Sequence, residues 1–90
     1  MSVRIRIHRN LRHLTDDKSV VIAEGNNVGE CLDDLVKKFP DIYTELFNGK
    51  GKLLKHVEIY VNSESSYPEE LAKPVNDGDE LSIIIMIAGG

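Results

Sequence analysis

The chain has 90 residues, of which 41% are hydrophobic and 29% are charged, and its net charge is −4. This length predicts a single domain with one modest core and excludes a large enclosed active site. The negative net charge argues against nucleic acid as a partner, because binding to phosphates needs a basic surface.

The sequence predicts neither secretion nor membrane insertion. The first ten residues alternate charged and apolar side chains and lack the continuous apolar region of a signal peptide. The longest apolar run, residues 83–88, is far too short to span a bilayer. Cys31 is the only cysteine, so no internal disulfide can form. Together these features predict a cytoplasmic protein.

The first part of the chain predicts two strands joined by a connection. Residues 3–8 alternate apolar and polar side chains with a period of two, which is typical of a half-buried strand. Residues 11–17 form the connection, and residues 18–25 form the second strand.

A helix is predicted next, because the period of the apolar residues changes. Between Val28 and Phe39 they recur three and four positions apart, on one face of a helix. Asn27 and Glu30 form a capping-box pattern at its start, in which the Asn side chain accepts a helix N–H and the Glu reaches back. Residues 40–47 are expected to add a second short helical piece.

The second part of the chain predicts three more strands, one of them very short. Residues 55–62 alternate again, and the polar residues 63–79 predict a loop, a short edge strand and a turn. Asp77 and Asp79 are interpreted as residues of that turn rather than as metal ligands. Residues 80–87 form the last strand.

The resulting order, β-β-α-β-(β)-β, predicts an α+β fold in which one helix covers one face of a sheet. The last strand is apolar on both faces, which is typical of a strand at the centre of a sheet. Its Ile84 and Met86 are then either packed under a loop or exposed beside Tyr60. An exposed apolar patch of this kind would indicate a partner surface.

No residue pattern predicts a metal site or a catalytic centre. The three histidines lack the spacing of metal ligands. Cys31 lies on the apolar face of the helix, where we expect a buried and unreactive thiol. The motifs of a nucleophile elbow, a P-loop and a dinucleotide site are absent. We therefore expect no bound metal or cofactor and no catalytic activity.

Gly89 and Gly90 follow closely after the last strand. A glycine pair can thread a narrow channel, because no Cβ blocks close approach of the backbone. It also leaves a terminal carboxylate unhindered, so that a second protein could reach and modify it. A tail without function is the alternative, and the residue pattern alone leaves both open. We expect a folded domain over residues 1–88 and a flexible tail over residues 89–90.

The chain resembles the ubiquitin-like sulfur carriers of the MoaD/ThiS type over essentially its whole length. This family includes the small subunit of molybdopterin synthase and the thiamine-pathway sulfur carrier. The similar pieces are the element order, "LR" after the first strand, "NVGECLDDL" at the helix, "EIYVN" in the third strand, and "DGDEL" with the final "AGG". The segment "GKLLKHVEIYVN" is most similar to the variant that delivers sulfur for cysteine synthesis. The resemblance implies a β-grasp fold, with a mixed sheet of four or five strands on one main helix.

The resemblance also implies a cycle of chemistry at Gly90. An ATP-dependent activating enzyme would adenylate the Gly90 carboxylate, and sulfur would then replace AMP to give a thiocarboxylate. A biosynthetic enzyme would accept the sulfur for cysteine or homocysteine, for thiamine or for the molybdenum cofactor. Gly89 would give the tail its flexibility. The ATP would be used by the partner, and the free carrier would be a monomer.

The candidates for the face that docks the activating enzyme are Tyr60, Ile84, Met86, Arg4 and Arg6. Three other roles remain open. The chain could be a ubiquitin-like modifier joined to lysines through its last glycine, the small subunit of a molybdopterin-synthase-like complex, or a non-covalent binding module. Many relatives carry proline before the final glycines, whereas this chain reads "IIMIAGG", and this difference bears on the identity of the partner.

Overall fold

The predicted elements form one mixed sheet and one main helix in a computed structural model that describes residues 1–86. The strands are Ser2–Arg6 (β1), Val20–Glu24 (β2), Val57–Val61 (β3), Glu64–Ser65 (β4) and Glu80–Ile85 (β5). The helices are Val28–Lys38 (α1) and Tyr43–Leu46 (α2), and 3₁₀ turns occupy Arg9–Leu14, Pro40–Ile42 and Glu70–Ala72. The strand order β2-β1-β5-β3-β4, with α1 on one face, is the β-grasp arrangement, so the predicted fold class is confirmed.

Strand β5 lies at the centre of the sheet, as its apolar character on both faces predicts. It pairs in parallel with β1, where Arg6 lies opposite Ser82. On its other side it pairs antiparallel with β3, where Tyr60 also lies opposite Ser82. Leu81 and Ile83 point to the inner face and are buried there. The described part of the chain therefore ends beside the middle strand of the sheet.

Helix α1 covers the inner face of the sheet and builds the core with it. Its buried residues are Val28, Cys31, Leu32 and Leu35. The Asn27 side chain accepts the N–H of Glu30 at 2.8 Å, as the capping pattern predicts. The Glu30 carboxylate reaches back to the N–H of Asn26 at 2.8 Å, one residue before the cap. The start of the helix is thus anchored to the chain that leads into it.

Three segments differ in detail from the sequence-based expectation. The connection after β1 contains the 3₁₀ turn Arg9–Leu14, whose Leu11 is buried against the core. The second helical piece consists of a 3₁₀ turn and α2, and it is separated from α1 because Pro40 disfavours helical backbone at Phe39. The last strand ends at Ile85. Met86, predicted to continue the strand, lies directly after it, whereas Ile87, the predicted domain end at residue 88 and the tail at residues 89–90 lie outside the described residues.

The turn before β5 is held by carboxylates that accept backbone and side-chain hydrogen bonds. Asp79 accepts one from the Asn62 side chain at 3.0 Å and one from the Asn76 N–H at 2.8 Å. Asp77 accepts the N–H of Ser2 at 2.8 Å. Both aspartates are therefore turn residues, as predicted, and they fasten the start of β5 to the start of β1 and the end of β3.

The donors around Asp79 also change its titration. The Asn62 side chain, and after it the Asn76 N–H, lower the pKa of Asp79 below its ordinary value. Because the pKa is lower in the folded state, the carboxylate stabilises the fold above about pH 4, the range of an unfolded aspartate. This contribution is lost as the pH falls through the lowered pKa of the folded state.

We predict that Asp79→Ala lowers the free energy of unfolding at neutral pH by about 1–2 kcal/mol, because two donors lose their acceptor. Urea unfolding at several pH values measures this loss, and the difference from wild type should shrink below about pH 4. The control Asp33→Ala removes an exposed carboxylate of α1 and should cost less than about 0.5 kcal/mol. An equal loss for Asp79→Ala at neutral and strongly acid pH would contradict this role.

Candidate functional site

The face of the sheet that α1 leaves uncovered, named the outer face, carries the residues predicted to bind a partner. Their positions are Arg4 and Arg6 on β1, Tyr60 on β3, Ile84 on β5, and Met86 directly after β5. Along each strand the residues next to them in sequence are buried on the inner face, except for Ile85, which is partly buried. The strand periodicity therefore sets these side chains on the face that has no helical cover.

Tyr60 and Ile84 are diagonal neighbours on the outer face rather than direct ones. Tyr60 lies opposite Ser82, and Ile84 lies opposite Glu58. Diagonal residues on antiparallel strands are about 7–8 Å apart, within reach of an aromatic ring. Both side chains are half-buried, whereas Met86 is 45% exposed. The three residues thus form a mixed surface in which polar residues separate the apolar ones.

Met86 borders a groove of about 410 Å³ beside β3. The other residues that line this groove are Lys55, Val57, Glu58, Ser65, Tyr67 and Glu70. Tyr67 is 73% exposed, so it adds an aromatic ring to the accessible surface near Met86. Sequence reasoning missed Tyr67, because a single aromatic residue in a polar loop has no periodicity that would assign it to a face.

Arg4 and Arg6 stand on the outer face beside an acidic residue of β5. Their guanidinium nitrogens lie 3.8 and 3.9 Å from a carboxylate oxygen of Glu80. The two arginine side chains are 53% and 59% exposed. Exposed ion pairs contribute little to stability. Both guanidinium groups can therefore exchange Glu80 for a carboxylate of a partner at little cost.

A second groove, named the basic groove, lies where β1 and β5 separate. It measures about 300 Å³ and is lined by Arg6, Ile7, His8, Arg9, Arg12, Ser82, Ile83 and Ile84. It opens where the parallel pairing ends, because β1 pairs with β5 only as far as Arg6 and Ser82. Arg12 is oriented by donation from its Nε to the Ile7 carbonyl at 3.0 Å.

The arginines of the 3₁₀ turn are functional candidates that sequence reasoning did not select. Arg9 and Arg12 come close to β5 only because the turn Arg9–Leu14 folds back beside the sheet. The signal in the sequence was the cluster of arginines within residues 4–12, but its local pattern does not reveal which strand end it reaches. The fold sets this positive charge beside the last part of β5.

The cysteine is buried, as the sequence predicts. Cys31 has 0% exposure, and desolvation is the main cause that raises the pKa of its thiol to about 11. The thiol is therefore protonated at neutral pH and is a poor nucleophile. Within residues 1–86, no group of three or more His, Cys, Asp or Glu side chains could hold a metal ion. Over the same residues, no helix has the length and apolar character needed to cross a membrane.

The fold, with its central last strand and single covering helix, defines a ubiquitin-like β-grasp protein. The sequence also identifies the family within this fold. The chain belongs to the ThiS family, whose sequence pattern matches residues 5–90. The predicted resemblance to ubiquitin-like sulfur carriers of the MoaD/ThiS type is thereby confirmed.

Solved structures of similar proteins agree with this assignment. A chain in the crystal structure of the BexX/CysO complex from Amycolatopsis orientalis has a TM-score of 0.89 and 34% identity, over 98% of this chain and 99% of that chain. CysO from Mycobacterium tuberculosis has a TM-score of 0.86 and 32% identity, over 94% and 99%. SAMP1 from Haloferax volcanii has a TM-score of 0.87 and 25% identity, over 100% of both chains. No curated protein matches the sequence.

Proposed function

We propose that this chain is a sulfur carrier whose Gly90 carboxylate is adenylated by an ATP-dependent activating enzyme and then converted into a thiocarboxylate. The observation that carries the proposal is the match to the ThiS family, which runs through residues 5–90 and includes both final glycines. The position of β5 supports it, because the segment that contains Gly90 continues from the central strand.

The proposed chemistry activates a group that is unreactive by itself. A carboxylate oxygen of Gly90 attacks the α-phosphorus of ATP, so that pyrophosphate leaves and an acyl-adenylate forms. Sulfur at the oxidation level of sulfide then attacks the acyl carbon, forming a C–S bond while the bond to AMP breaks. The thiocarboxylate that results is a nucleophile attached to a protein, so sulfide is not released into water.

The chain itself supplies recognition and presentation rather than catalysis in this scheme. Gly89 has no Cβ and allows the tail to enter a narrow channel in the partner. The outer face, with Tyr60, Ile84 and Met86, docks the activating enzyme. The basic groove attracts acidic groups of that enzyme toward the last part of β5. ATP belongs to the partner, and the free carrier is a monomer.

The recipient of the sulfur is a biosynthetic enzyme. The resemblance of "GKLLKHVEIYVN" to the cysteine-delivering variant makes cysteine synthesis our first choice. Homocysteine, thiamine and molybdenum-cofactor synthesis are the other candidates. These recipients differ in the partner proteins, and each can be tested by supplying the purified thiocarboxylate to the corresponding enzyme.

A second candidate function is protein modification. The 25% identity to SAMP1 of Haloferax volcanii, over 100% of both chains, favours it as the alternative. A modifier would form an amide between Gly90 and a lysine of a target, after the same activation. Conjugates of higher mass that carry this chain, found in extracts of the native cell, would support this alternative.

We predict that protein purified from its native cell contains a population heavier by the mass difference between sulfur and oxygen, located at Gly90. Intact-mass spectrometry followed by peptide mapping measures it. Deletion of residues 89–90 should abolish adenylation, scored as pyrophosphate exchange, while it leaves the melting temperature almost unchanged, because glycines bury no side chain. The absence of any sulfur-bearing population under sulfur-replete growth, or a large loss of stability on deletion, would argue against the proposal.

A second prediction concerns docking through the outer face. Met86→Asp should raise the KM of the activating enzyme for this carrier by about tenfold or more, because burying a methionine contributes about 1.5–3 kcal/mol. Ile22→Asp is the matched control, since Ile22 is 51% exposed on the same face but lies on β2, two strands away from β5. Equal effects of the two substitutions would show that the contact is not centred on Met86.

A further inference from the structure

Strand β2 presents an unpaired backbone edge. It lies at the end of the sheet, and among residues 1–86 it pairs with β1 alone. The Gly25 N–H donates to the Met1 carbonyl at 2.9 Å, which fixes the alternation of hydrogen bonds along this antiparallel pair. The odd-numbered residues of β2 therefore bond to β1. The backbone groups of Val20, Ile22 and Glu24 point away from the sheet, toward the open edge.

Two side chains of α1 form hydrogen bonds with two of these backbone groups. The Glu24 N–H donates to Asp34 Oδ2 at 2.9 Å, and Lys38 Nζ donates to the Ile22 carbonyl at 2.7 Å. The same two side chains also pair with each other, with Lys38 Nζ and Asp34 Oδ2 3.0 Å apart. The Asp34 carboxylate thus lies opposite the Glu24 N–H, and the Lys38 ammonium group lies opposite the Ile22 carbonyl.

This arrangement reproduces the contacts of one residue in a parallel strand. In a parallel ladder, a residue donates its N–H to one carbonyl and accepts the N–H found two residues further along the neighbouring strand. Lys38 replaces that donor at Ile22, and Asp34 replaces that acceptor at Glu24. The pair therefore occupies the position that a residue of an added strand would take beside Ala23.

Stability alone does not account for this pair. Its side chains are 45% and 24% exposed for Lys38 and Asp34, and isolated exposed pairs contribute little. The hydrogen bond from the Glu24 N–H is the largest single cause that lowers the pKa of Asp34, and Lys38 lowers it further through its hydrogen bond and its charge. What distinguishes the pair is the backbone edge that it covers.

Without this pair, the backbone edge of β2 would be free to pair with another strand. Val20 and Ile22 are 38% and 51% exposed, and an apolar, uncovered edge strand is a template for pairing with another strand. Two copies of β2 running antiparallel about a two-fold axis present the same backbone groups to each other. Their exposed valine and isoleucine side chains would then lie on one continuous surface.

We propose that the Asp34–Lys38 pair closes the β2 edge against strand addition, and that a second copy of this chain, paired through β2, occupies the edge when the closure is removed. The proposal does not depend on sulfur carriage. It assigns to α1 a role besides core formation, which is to keep the protein from pairing with itself at the edge remote from β4.

The test compares two double substitutions on the same helix. Asp34→Ala with Lys38→Met removes the closure but keeps an apolar stem at residue 38. Asp33→Ala with Lys37→Met makes the same change of charge at the same spacing, at two exposed residues for which no hydrogen bond or ion pair with β2 is found within residues 1–86. Sedimentation velocity over a concentration series and amide hydrogen exchange are measured for both variants and for wild type.

The closure variant should dimerise with a dissociation constant at least about tenfold lower than that of wild type, and the control variant should behave as wild type. In the dimer, the amides of Val20 and Ile22 should exchange at least about tenfold more slowly than in the monomer. An unchanged sedimentation coefficient up to the solubility limit would overturn the proposal, as would a dimer in which these two amides stay unprotected.

The proposal can still be tested if the closure variant does not fold. Circular dichroism establishes whether the closure variant is folded. If it is not, Lys38→Met alone, which leaves Asp34 on the Glu24 N–H, should show a smaller shift toward dimer. The amide of Glu24 should keep its wild-type exchange rate in that variant. Absence of the shift in the folded single variant would overturn the proposal.

Discussion

The pairing of β5 with β1 on one side and with β3 on the other is the interaction on which the rest of the structure depends. It places Leu81 and Ile83 against α1 and makes the last strand the centre of the sheet. The turn at residues 76–79 fastens the start of that strand to both of its neighbours. A segment that continues from such a strand has a fixed origin, so a partner can locate its end by recognising the folded body. This is the physical requirement that the proposed role of Gly90 places on the fold.

The two faces of the sheet differ in what they contact. The inner face packs on α1 and encloses Cys31, which has 0% exposure and the raised pKa of a buried thiol. The outer face carries partly exposed apolar groups between arginines and polar residues, and the basic groove lies at its margin. Open grooves of this kind suit protein contacts better than the enclosure of a small substrate. The architecture therefore fits a chain that is acted on by other proteins, and it is consistent with membership of the ThiS family.

Local patterns were sufficient for the elements but not for the contacts between them. Period-two alternation located the strands, and the Asn27 cap located the start of α1, because both signals depend on neighbours within a few residues. The register between strands was not available from such signals, so the diagonal relation of Tyr60 to Ile84 could not be foreseen. The approach of Arg9 and Arg12 to β5, and the cover of β2 by Asp34 and Lys38, also depend on how distant segments pack.

The central claim is that a folded domain of unchanging structure presents Gly90 to its partners, and methyl NMR tests it most directly. Spectra are compared for the unloaded chain and for the chain with a thiocarboxylate at Gly90, each with and without the activating enzyme. The account predicts that loading leaves the methyl signals of the inner residues Ile5 and Ile59 unchanged. It also predicts that the enzyme shifts or broadens the signals of Ile84 and Met86 in both forms. A change at Ile5 or Ile59 on loading, or unperturbed signals of Ile84 and Met86 in the complex, would contradict it.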